Sequence, residues 1–474
     1  MKQQAFNPYL PSWEYIPDGE PYVFDGRVYI YGSHDRFNGH AYCLNDYVTW
    51  SAPVDDLGNW RYEGVIYEKT QDPFNADGSM CLYAPDVTQG PDGRYYLYYV
   101  LDKKSVVSVA VCDSPAGKFQ FYGYVHYADG TLLGEREGDE PQFDPGVLTE
   151  GENTYLYTGF CFAGDKSRHG PMCTVRGPDM LTIRQEPGFI APSQPYSQGS
   201  GFEGHEFFEA PSIRKAGDTY YFIYSSVVFH ELCYATSKSP TQGFQYGGVI
   251  ISNNDLGIGT YKPADKPMYY GGNNHGSMVQ IGEKWYIFYH RQTNGTSFSR
   301  QAMAQEIQIL PDGSIPQVEM TSCGLNGGPL VGKGTYPAHI ACNLFCDWES
   351  TYSGGIAGNE YWVDVHCPRV TQDGRDGDQE PGYILNMIHS ATAGYKYFHC
   401  QGVTKVTLRV RGYCSGAFQI KTSWDGPVLG EIPVRFTNVW KDYSTQVELP
   451  DGVNALYFTY VGPGSAALLS FTLE

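Results

Sequence analysis

The chain has 474 residues, of which 15% are aromatic and 18% charged, and it contains 56 glycines and 30 prolines. This combination of aromatic residues and turn formers is typical of short strands joined by tight turns, and it argues against a helical bundle or a disordered chain. The net charge of −20 disfavours nucleic acid and anionic membrane surfaces as partners, whereas a neutral ligand meets no such repulsion.

The N-terminal residues contain no apolar segment of the kind that forms a signal peptide, and the chain has no apolar run long enough to span a membrane. The 12 cysteines include no CxxC pair. Together these features predict a cytoplasmic protein with reduced thiols, unless a leader preceded the sequence as given.

A turn followed by an aromatic strand occurs five times in the first two thirds of the chain. The copies align on Tyr29, Tyr96, Tyr155, Tyr221 and Tyr286, which are 59 to 67 residues apart. Each repeat therefore has room for four short strands. Such repeats predict an all-β fold with a five-bladed β-propeller over residues 1–325. The alternative is a β-sandwich that happens to contain several tyrosine-rich hairpins.

A carboxylic acid or a histidine precedes each aligned tyrosine by 10 to 12 residues. These residues are Asp18, Asp86, Asp144, Glu209 and His275. Equivalent positions in the blades of a propeller form a ring about its axis, so the five side chains are predicted to meet at one mouth of the central channel. Clustered carboxylates repel one another, which favours either a cation site or acid–base catalysis there. The alternative is that each acid only caps a turn at the start of a strand.

Pairs of carboxyl groups that act on neutral, hydroxyl-rich ligands are typical of glycoside hydrolysis. The high aromatic content agrees with this interpretation, because the apolar faces of sugar rings pack against aromatic side chains. The sequence alone therefore favours a sugar as the ligand of the acidic ring.

The segments that carry these acids resemble glycoside hydrolase family 43. They read NPYLPSWEYIPDGEPYVFDGRVYIYGSHD, APDV, FDPGVL, FFEAPSIRK and NHGSMVQ followed by FYHR, and they cover about residues 7–325 in the order of the family. The resemblance implies a five-bladed propeller and hydrolysis with inversion at the anomeric carbon. Members of the family are β-xylosidases, α-L-arabinofuranosidases, arabinanases, xylanases and some galactanases.

The resemblance also implies three catalytic roles. Asp18 matches the general base, Glu209 the general acid, and Asp144 the third carboxylate, which orients the acid and tunes its pKa. Inversion requires a protonated acid at the glycosidic oxygen and an ionised base that activates a water on the opposite face of the sugar. In a ring of five blades, Asp18 and Glu209 lie on either side of the blade that carries His275. Asp144 lies in the blade next to Glu209, where like-charge repulsion is expected to raise the pKa of the acid.

Further residues match positions that hold the sugar or an ion in the family. The substrate-binding candidates are Asp86, Tyr83, which stands where the family has tryptophan, and either Arg291 or Arg300, between which the sequence does not decide. His275 matches a channel histidine that often faces a calcium or sodium ion in relatives. The resemblance thus implies an ion in the channel, although the chemistry itself requires no cofactor.

The repeats stop near residue 325, and the glycine-rich segment 324–334 is typical of a linker. Short alternating strands predict a separate β-sandwich of the jelly-roll kind over residues 326–474. The segments TQDGRDGDQEPGYI, TAGYKYF and ALYFTYVGPGSAALLSFTLE resemble family 6 carbohydrate-binding modules. Four aromatic residues are either sugar contacts or core: Trp424, Trp440, Tyr395 and Tyr397. Four acids are either calcium ligands or a solvated turn: Asp373, Asp376, Asp378 and Glu380.

These observations predict an enzyme that releases single pentoses from neutral arabinoxylan or xylan-type oligosaccharides. Its expected activity is that of an α-L-arabinofuranosidase, a β-xylosidase or both. The compact repeats leave little length for an extended cleft, which favours a closed pocket. The alternatives are an endo-acting arabinanase or xylanase of the same family, and a propeller that binds glycans without cleaving them.

Overall fold

The computed structural model describes residues 3–346 and 367–474, and nearly all regular structure in them is β-strand. Five antiparallel sheets follow one another as far as Ile307, and they form the five blades that the repeats predict. Blade 1 contains Glu20–Phe24 (β1), Arg27–Tyr31 (β2), Tyr47–Pro53 (β3) and Arg61–Tyr67 (β4). Blade 2 contains Asp86–Gln89 (β5), Tyr95–Tyr99 (β6), Ser108–Cys112 (β7) and Gln120–Tyr124 (β8).

The remaining blades continue this order along the chain. Blade 3 contains Gly146–Glu150 (β9), Asn153–Thr158 (β10), Met172–Arg176 (β11) and Ile183–Phe189 (β12). Blade 4 contains Phe207–Ala216 (β13), Thr219–Ser226 (β14), Glu231–Ser237 (β15) and Gln245–Ser252 (β16). Blade 5 contains Ser277–Ile281 (β17), Lys284–Thr293 (β18) and Thr296–Ile307 (β19). Four 3-10 turns complete the regular structure: Lys69–Gln71, Pro73–Asn75, Gln194–Tyr196 and Ala338–Ile340. None of the helices in the described ranges is long and apolar enough to cross a membrane.

The first strand of each blade lines the central channel. These strands contact one another around the ring, β1 with β17, β5 with β9, β9 with β13 and β13 with β17. The aligned tyrosines lie in the second strand of each blade, where residues such as those of β6 are buried throughout because neighbouring blades cover both faces. The repeat found in the sequence therefore marks a real structural period.

Blade 5 has three strands among the described residues, where the repeat predicts four. Its outer edge is covered instead by the N-terminal segment. The side-chain amide of Asn7 donates to the carbonyl oxygen of Ala304 at 2.6 Å and accepts from the nitrogen of Ala304 at 2.9 Å. Leu325 donates its amide to the carbonyl oxygen of Ala5 at 2.9 Å. The two ends of the propeller thus meet at blade 5 and close the ring.

In the C-terminal part, the described residues form one ten-stranded sheet that curls. Its strands are Leu330–Val331 (β20), Gly334–Pro337 (β21), Asn343–Phe345 (β22), Arg369–Thr371 (β23), Tyr383–Met387 (β24), Thr392–Cys400 (β25), Lys405–Lys421 (β26), Gly430–Gln446 (β27), Gly452–Val461 (β28) and Ala466–Leu473 (β29). The main path of the sheet runs β20-β25-β28-β26-β29-β24-β23, with β21, β22 and β27 at its margins. The glycine-rich segment predicted as a linker contains β20 and the start of β21, so it is part of this sheet.

The sheet packs directly on blades 4 and 5. One apolar cluster includes Ile223 of blade 4, Met303 of blade 5 and Phe471 of the sheet. Within this contact, the fully buried ammonium of Lys396 lies 3.2 Å from Asp255 and 2.7 Å from Glu319. A buried charge of this kind is tolerated only with partners in place, so the sheet and the propeller are tightly joined here.

Three of the four aromatic candidates in this sheet serve the packing. Tyr395 is fully buried, Trp424 donates to the carbonyl oxygen of Tyr261 at 3.0 Å, and Tyr397 hydrogen-bonds Glu319. Trp440 is half-buried, with the guanidinium of Arg411 4.3 Å from the centre of its ring.

The acidic turn of the sheet reaches the propeller. Asp376 accepts hydrogen bonds from the amide of Phe37 at 2.7 Å and from the side chain of Asn45 at 3.0 Å. Asp373 pairs with Arg411, and Asp378 accepts from the amide of Arg375. This turn therefore holds a loop of blade 1 as well as its own backbone.

Candidate active site

The register of the blades defines which residues share a level of the channel. Glu20, Asp86, Gly146, Ser212 and Ser277 each pair with the residue two places after the aligned tyrosine of their blade. They form one layer of the channel. By this register, the residue at the mouth of the channel stands two positions earlier in the chain than the residue of this layer.

Three predicted residues stand at the mouth by this register: Asp18, Asp144 and His275. Asp18 and Asp144 have φ angles of 58° and 44°, in the left-handed region that side chains other than glycine rarely adopt. Such backbone strain is often found at functional sites. In blade 4 the pairing shifts between Phe207, Glu209 and Ser212, and this irregularity places Glu209 at the mouth.

One pocket of about 160 Å³ lies over this mouth. All five blades or their loops contribute to it. Its lining residues are Asp18, Tyr42, Cys43, Tyr83, Ala84, Phe143, Asp144, Phe160, Phe162, Phe208, Glu209, Asn273, His275 and Arg300. The structure therefore brings together the three acids, His275, Tyr83 and Arg300 of the sequence prediction.

Asp18 is held as a carboxylate. Burial alone would raise its pKa, but Arg300, His290 and His275 together lower it far below the usual value. The guanidinium of Arg300 donates to Oδ1 of Asp18 at 2.9 Å, and the amide of Asp18 donates to Nδ1 of His290 at 3.3 Å. Arg300 is fixed in turn by Asp35, which it contacts through Nε at 2.9 Å and through a second nitrogen at 3.0 Å. An ionised group in this position can act as a base.

Glu209 is held as an acid. Burial and the charge of Asp18 raise its pKa to about 8, despite the nearby Arg300. The pKa of Asp144 is also raised, first by burial and then by Glu209 and Asp18. Glu209 thus raises the pKa of Asp144, but the charge that raises the pKa of Glu209 is that of Asp18 and not the predicted Asp144, and burial is the larger cause for both groups. At neutral pH, Glu209 carries a proton that it can donate.

His275 lies between the acids at the mouth and the layer below. Its Nδ1 is 3.8 Å from Asp18 and 3.7 Å from Asp144, and its Nε2 is 4.0 Å from Glu20. Burial lowers its pKa to about 4, so it is neutral at physiological pH. The predicted calcium ion fits poorly beside it, because calcium takes 6–8 oxygen ligands and three of the four carboxylate oxygens of the next layer are already bonded to protein donors.

Two predicted substrate contacts lie outside the pocket. Asp86 belongs to the layer below the mouth, where it accepts hydrogen bonds from Tyr22 and from the amides of Val87 and Val147. Its place at the mouth is taken by Ala84. The sequence alignment missed this because Asp86 stands one residue closer to its tyrosine than the other aspartates do.

Arg291 is the second candidate that does not face the pocket. Its guanidinium is fully buried and donates to the carbonyl oxygens of His339 and Ala341, both at 2.6 Å. It therefore ties blade 5 to the C-terminal part, and Arg300 is the arginine that reaches the acids.

The sequence analysis missed the aromatic wall of the pocket and the groups that support the base. Phe143, Phe160, Phe162 and Phe208 stand in contact, with the ring centres of neighbouring pairs 4.7 to 5.4 Å apart. Phe162 is 48% exposed at the rim. The sequence FCF at 160–162 could have indicated an aromatic surface at this position. Asp35, which follows β2, has no such signal, because its partner Arg300 is 265 residues away.

Comparison with known proteins gives matches over the propeller and over the whole chain. A family model described as "Glycosyl hydrolases family 43" matches residues 17–315. A curated xylosidase/arabinosidase from Thermoclostridium stercorarium is 73% identical over 473 residues, which cover 100% of this chain and 99% of the relative. Another xylosidase/arabinosidase, from Bacteroides ovatus, is 29% identical over 66% of this chain and 97% of its own length.

Solved structures share the fold. An arabinoxylan arabinofuranohydrolase of family 43 from Bacillus subtilis, in complex with cellotetraose, is 20% identical and covers 99% of both chains with a TM-score of 0.52. A β-xylosidase/α-arabinofuranosidase of family 43 from a compost microbial metagenome, in complex with xylotriose, is 25% identical. It covers 67% of this chain and 98% of its own, with a TM-score of 0.51.

Proposed function

The chain belongs to glycosyl hydrolase family 43, and from this membership and the charge states of its acids we propose that it releases single arabinose or xylose units from neutral oligosaccharides with inversion. The observation that carries the proposal is the contrast between two carboxyl groups in one pocket. Asp18 is ionised at neutral pH, whereas Glu209 keeps its proton up to about pH 8. The relative that is 73% identical is a xylosidase/arabinosidase, which supports these two pentoses as substrates.

The chemistry assigns one step to each acid. The carboxylate of Asp18 takes a proton from a water molecule as the water oxygen bonds to the anomeric carbon. The carboxyl group of Glu209 gives its proton to the glycosidic oxygen as the bond from that oxygen to the anomeric carbon breaks. The sugar leaves with inverted configuration, and water in the medium returns a proton to Glu209 and accepts one from Asp18. Asp144 and His275 position the acids.

The aromatic wall suits a sugar with one apolar face. Tyr83 and four phenylalanines line the pocket together with the charged groups. A pentose in this pocket presents its hydroxyl groups to Arg300 and Asn273 while a ring face packs on aromatic carbon. The net charge of −20 makes uronate-rich polymers poor substrates.

The test is a panel of an aryl α-L-arabinofuranoside, an aryl β-xyloside, arabinoxylan oligosaccharides and linear arabinan. We expect free arabinose or xylose from the first minutes, and NMR of the nascent product shows the inverted anomer. The Glu209→Gln variant, purified in parallel, controls for contaminating glycosidases. Early release of di- and trisaccharides would instead identify an endo-acting enzyme. Sugar-dependent thermal stabilisation without any hydrolysis would identify a glycan-binding propeller.

A further inference from the structure

The layer below the mouth contains two carboxylic acids that the proposed chemistry does not use. Glu20 is 1% exposed and Asp86 is fully buried. The other positions of this layer are Gly146, Ser212 and Ser277, which carry no charge. Two buried carboxyl groups at one level of a narrow channel need a compensating positive charge or protons.

The compensating charge comes from the strand of blade 4. Arg214, two residues after Ser212 on β13, turns its guanidinium into the channel. It donates to Oε2 of Glu20 at 2.6 Å and to the carbonyl oxygen of Ile213 at 2.7 Å. The guanidinium carbon lies 4.3 Å from the centre of the Tyr22 ring, a cation–π contact.

The same network occupies three of the four carboxylate oxygens at this level, all except Oε1 of Glu20, which lies 4.0 Å from Nε2 of His275. Tyr22 donates to Oδ1 of Asp86 at 2.8 Å, and the amide of Val147 donates to Oδ2 at 2.7 Å. Ser212 donates to Glu20 at 3.1 Å and lies 2.7 Å from the hydroxyl of Ser277. All five innermost strands therefore contribute a side chain or an amide to these contacts, and the guanidinium of Arg214 lies among them.

We propose that Arg214 is the resident cation of the channel and takes the place of a bound metal ion. Its single positive charge balances one of the two carboxyl groups, through the ion pair with Glu20, and it fixes the innermost strands at one distance from the axis. Because His275 spans from Glu20 to Asp18 and Asp144, Arg214 also positions the catalytic mouth from below. It does not line the pocket, so it is a positioning residue and not a catalytic one.

The first test uses the unmodified enzyme. After exhaustive chelation, addition of calcium or sodium should change neither Tm nor kcat/KM. Stoichiometric calcium binding in calorimetry, together with a calcium-dependent rise in Tm, would overturn the proposal. This measurement needs no variant and decides the matter even if substitutions at Arg214 fail to fold.

The second test removes the guanidinium by substitution of Arg214 and then adds a small guanidinium compound in solution. Arg214→Ala should lower Tm by on the order of 10 °C, because loss of one partner leaves buried carboxylates uncompensated. Millimolar methylguanidinium should recover part of that loss, whereas methylurea, which has a similar shape and no charge, should not. Arg61→Ala, at an exposed arginine of blade 1, is the matched control and should respond to neither. A Tm for Arg214→Ala equal to that of the control, or equal recovery with both compounds, would refute a resident cation.

The effect on catalysis distinguishes positioning from substrate contact. Arg214→Lys, which keeps a positive charge in the channel, should retain more kcat than Arg214→Ala, and KM should stay within about twofold in both. A large rise in KM with unchanged kcat would show that Arg214 acts on substrate binding instead.

Discussion

At the scale of single residues, two carboxyl groups in one pocket take opposite charge states because they have different neighbours. Asp18 has an arginine 2.9 Å away, and this arginine together with His290 and His275 outweighs the cost of its burial. Burial disfavours Glu209 as an anion, and the nearby charge of Asp18 adds to this. Which carboxyl group acts as the base and which as the acid therefore depends on Arg300 as well as on the two acids.

The roles of the two acids can be separated by the leaving group. Glu209→Gln should lower kcat on xylo-oligosaccharides by about 10²–10⁴, because the alkoxide leaving group needs a proton. On a dinitrophenyl glycoside, whose leaving group is stable as an anion, the same variant should keep most of its rate. Asp18→Asn should lose activity on both substrates, since the water must be activated in either case. Steady-state kinetics on the matched pair of substrates measures this, and equal losses for Glu209→Gln on both would contradict its role as acid.

The raised pKa of Glu209 also predicts how activity depends on pH. Glu209 must be protonated, and its pKa is about 8, so kcat/KM should fall as the pH rises through about 8. The basic limb should be absent for Glu209→Gln on the dinitrophenyl substrate. A basic limb that persists in that variant would assign the titration to another group.

The same shift predicts a cost in stability. The pKa of Glu209 is higher in the folded protein than the usual value of about 4.3, so folding takes up a proton between these two pH values. The loss of folding stability that the raised pKa of Glu209 causes is absent below about pH 4 and complete above about pH 8. Glu209→Gln should therefore raise Tm at pH 8.5 and leave it nearly unchanged at pH 4.5. Thermal unfolding at the two pH values tests this, and an equal shift at both would show that the glutamate is not titrating.

At the scale of strands and blades, the sequence was informative because the repeat is local. Each aromatic strand and its turn lie within ten residues, so composition and spacing predicted the five blades and the order of the acids around the ring. The assignment of Asp86 to the mouth was wrong by one level, since the spacing to the aligned tyrosine varies between 10 and 12 residues while the side chain alternates faces every residue. The shifted pairing at Glu209 shows the opposite case, in which an irregular strand carries a functional side chain to the mouth.

The packing of blades 3 and 4 offers a prediction at this scale. A Cβ on Gly146 would lie 2.2 Å from the carbonyl oxygen of Pro211 on the neighbouring inner strand. Gly146→Ala should force these strands apart, with a loss of about 1–3 kcal/mol in the free energy of unfolding. The kcat should also fall, because Glu209 lies on one of these strands and Asp144 lies two residues before the other. Gly188→Ala, where the added carbon meets no atom within 4 Å, is the control and should behave as wild type in denaturant titrations and kinetics.

At the scale of the whole molecule, the C-terminal sheet is joined to the propeller by contacts that local patterns cannot reveal. The acids of the turn at 373–380 were interpreted as calcium ligands or as a solvated turn, yet Asp376 bonds to residues more than 300 positions away. The loop that it holds runs from Asp35, which anchors Arg300, to Tyr42 and Cys43 in the pocket wall. Sequence patterns predicted strands in this sheet but not where the sheet packs relative to the active site.

Removal of that contact should affect substrate binding. Asp376→Ala frees the loop of blade 1, so KM should rise by up to about tenfold, equivalent to about 1.4 kcal/mol, with a smaller change in kcat. Asp442→Ala, at an exposed acid of the same sheet that lies 3.5 Å from Arg409, is the matched control. Unchanged kinetics for Asp376→Ala, or equal effects in both variants, would show that the turn does not support the pocket.

The buried ammonium of Lys396 limits how this protein can be rebuilt. Because Asp255 of the propeller and Lys396 of the sheet are both fully buried at their contact, neither surface is suited to water. Cutting the chain near residue 325 leaves an unpaired carboxylate and a broad apolar face on blades 4 and 5. A chimera that grafts this propeller onto another binding module must therefore redesign that face, and a library of shuffled modules should recover few functional clones with a crossover at this point.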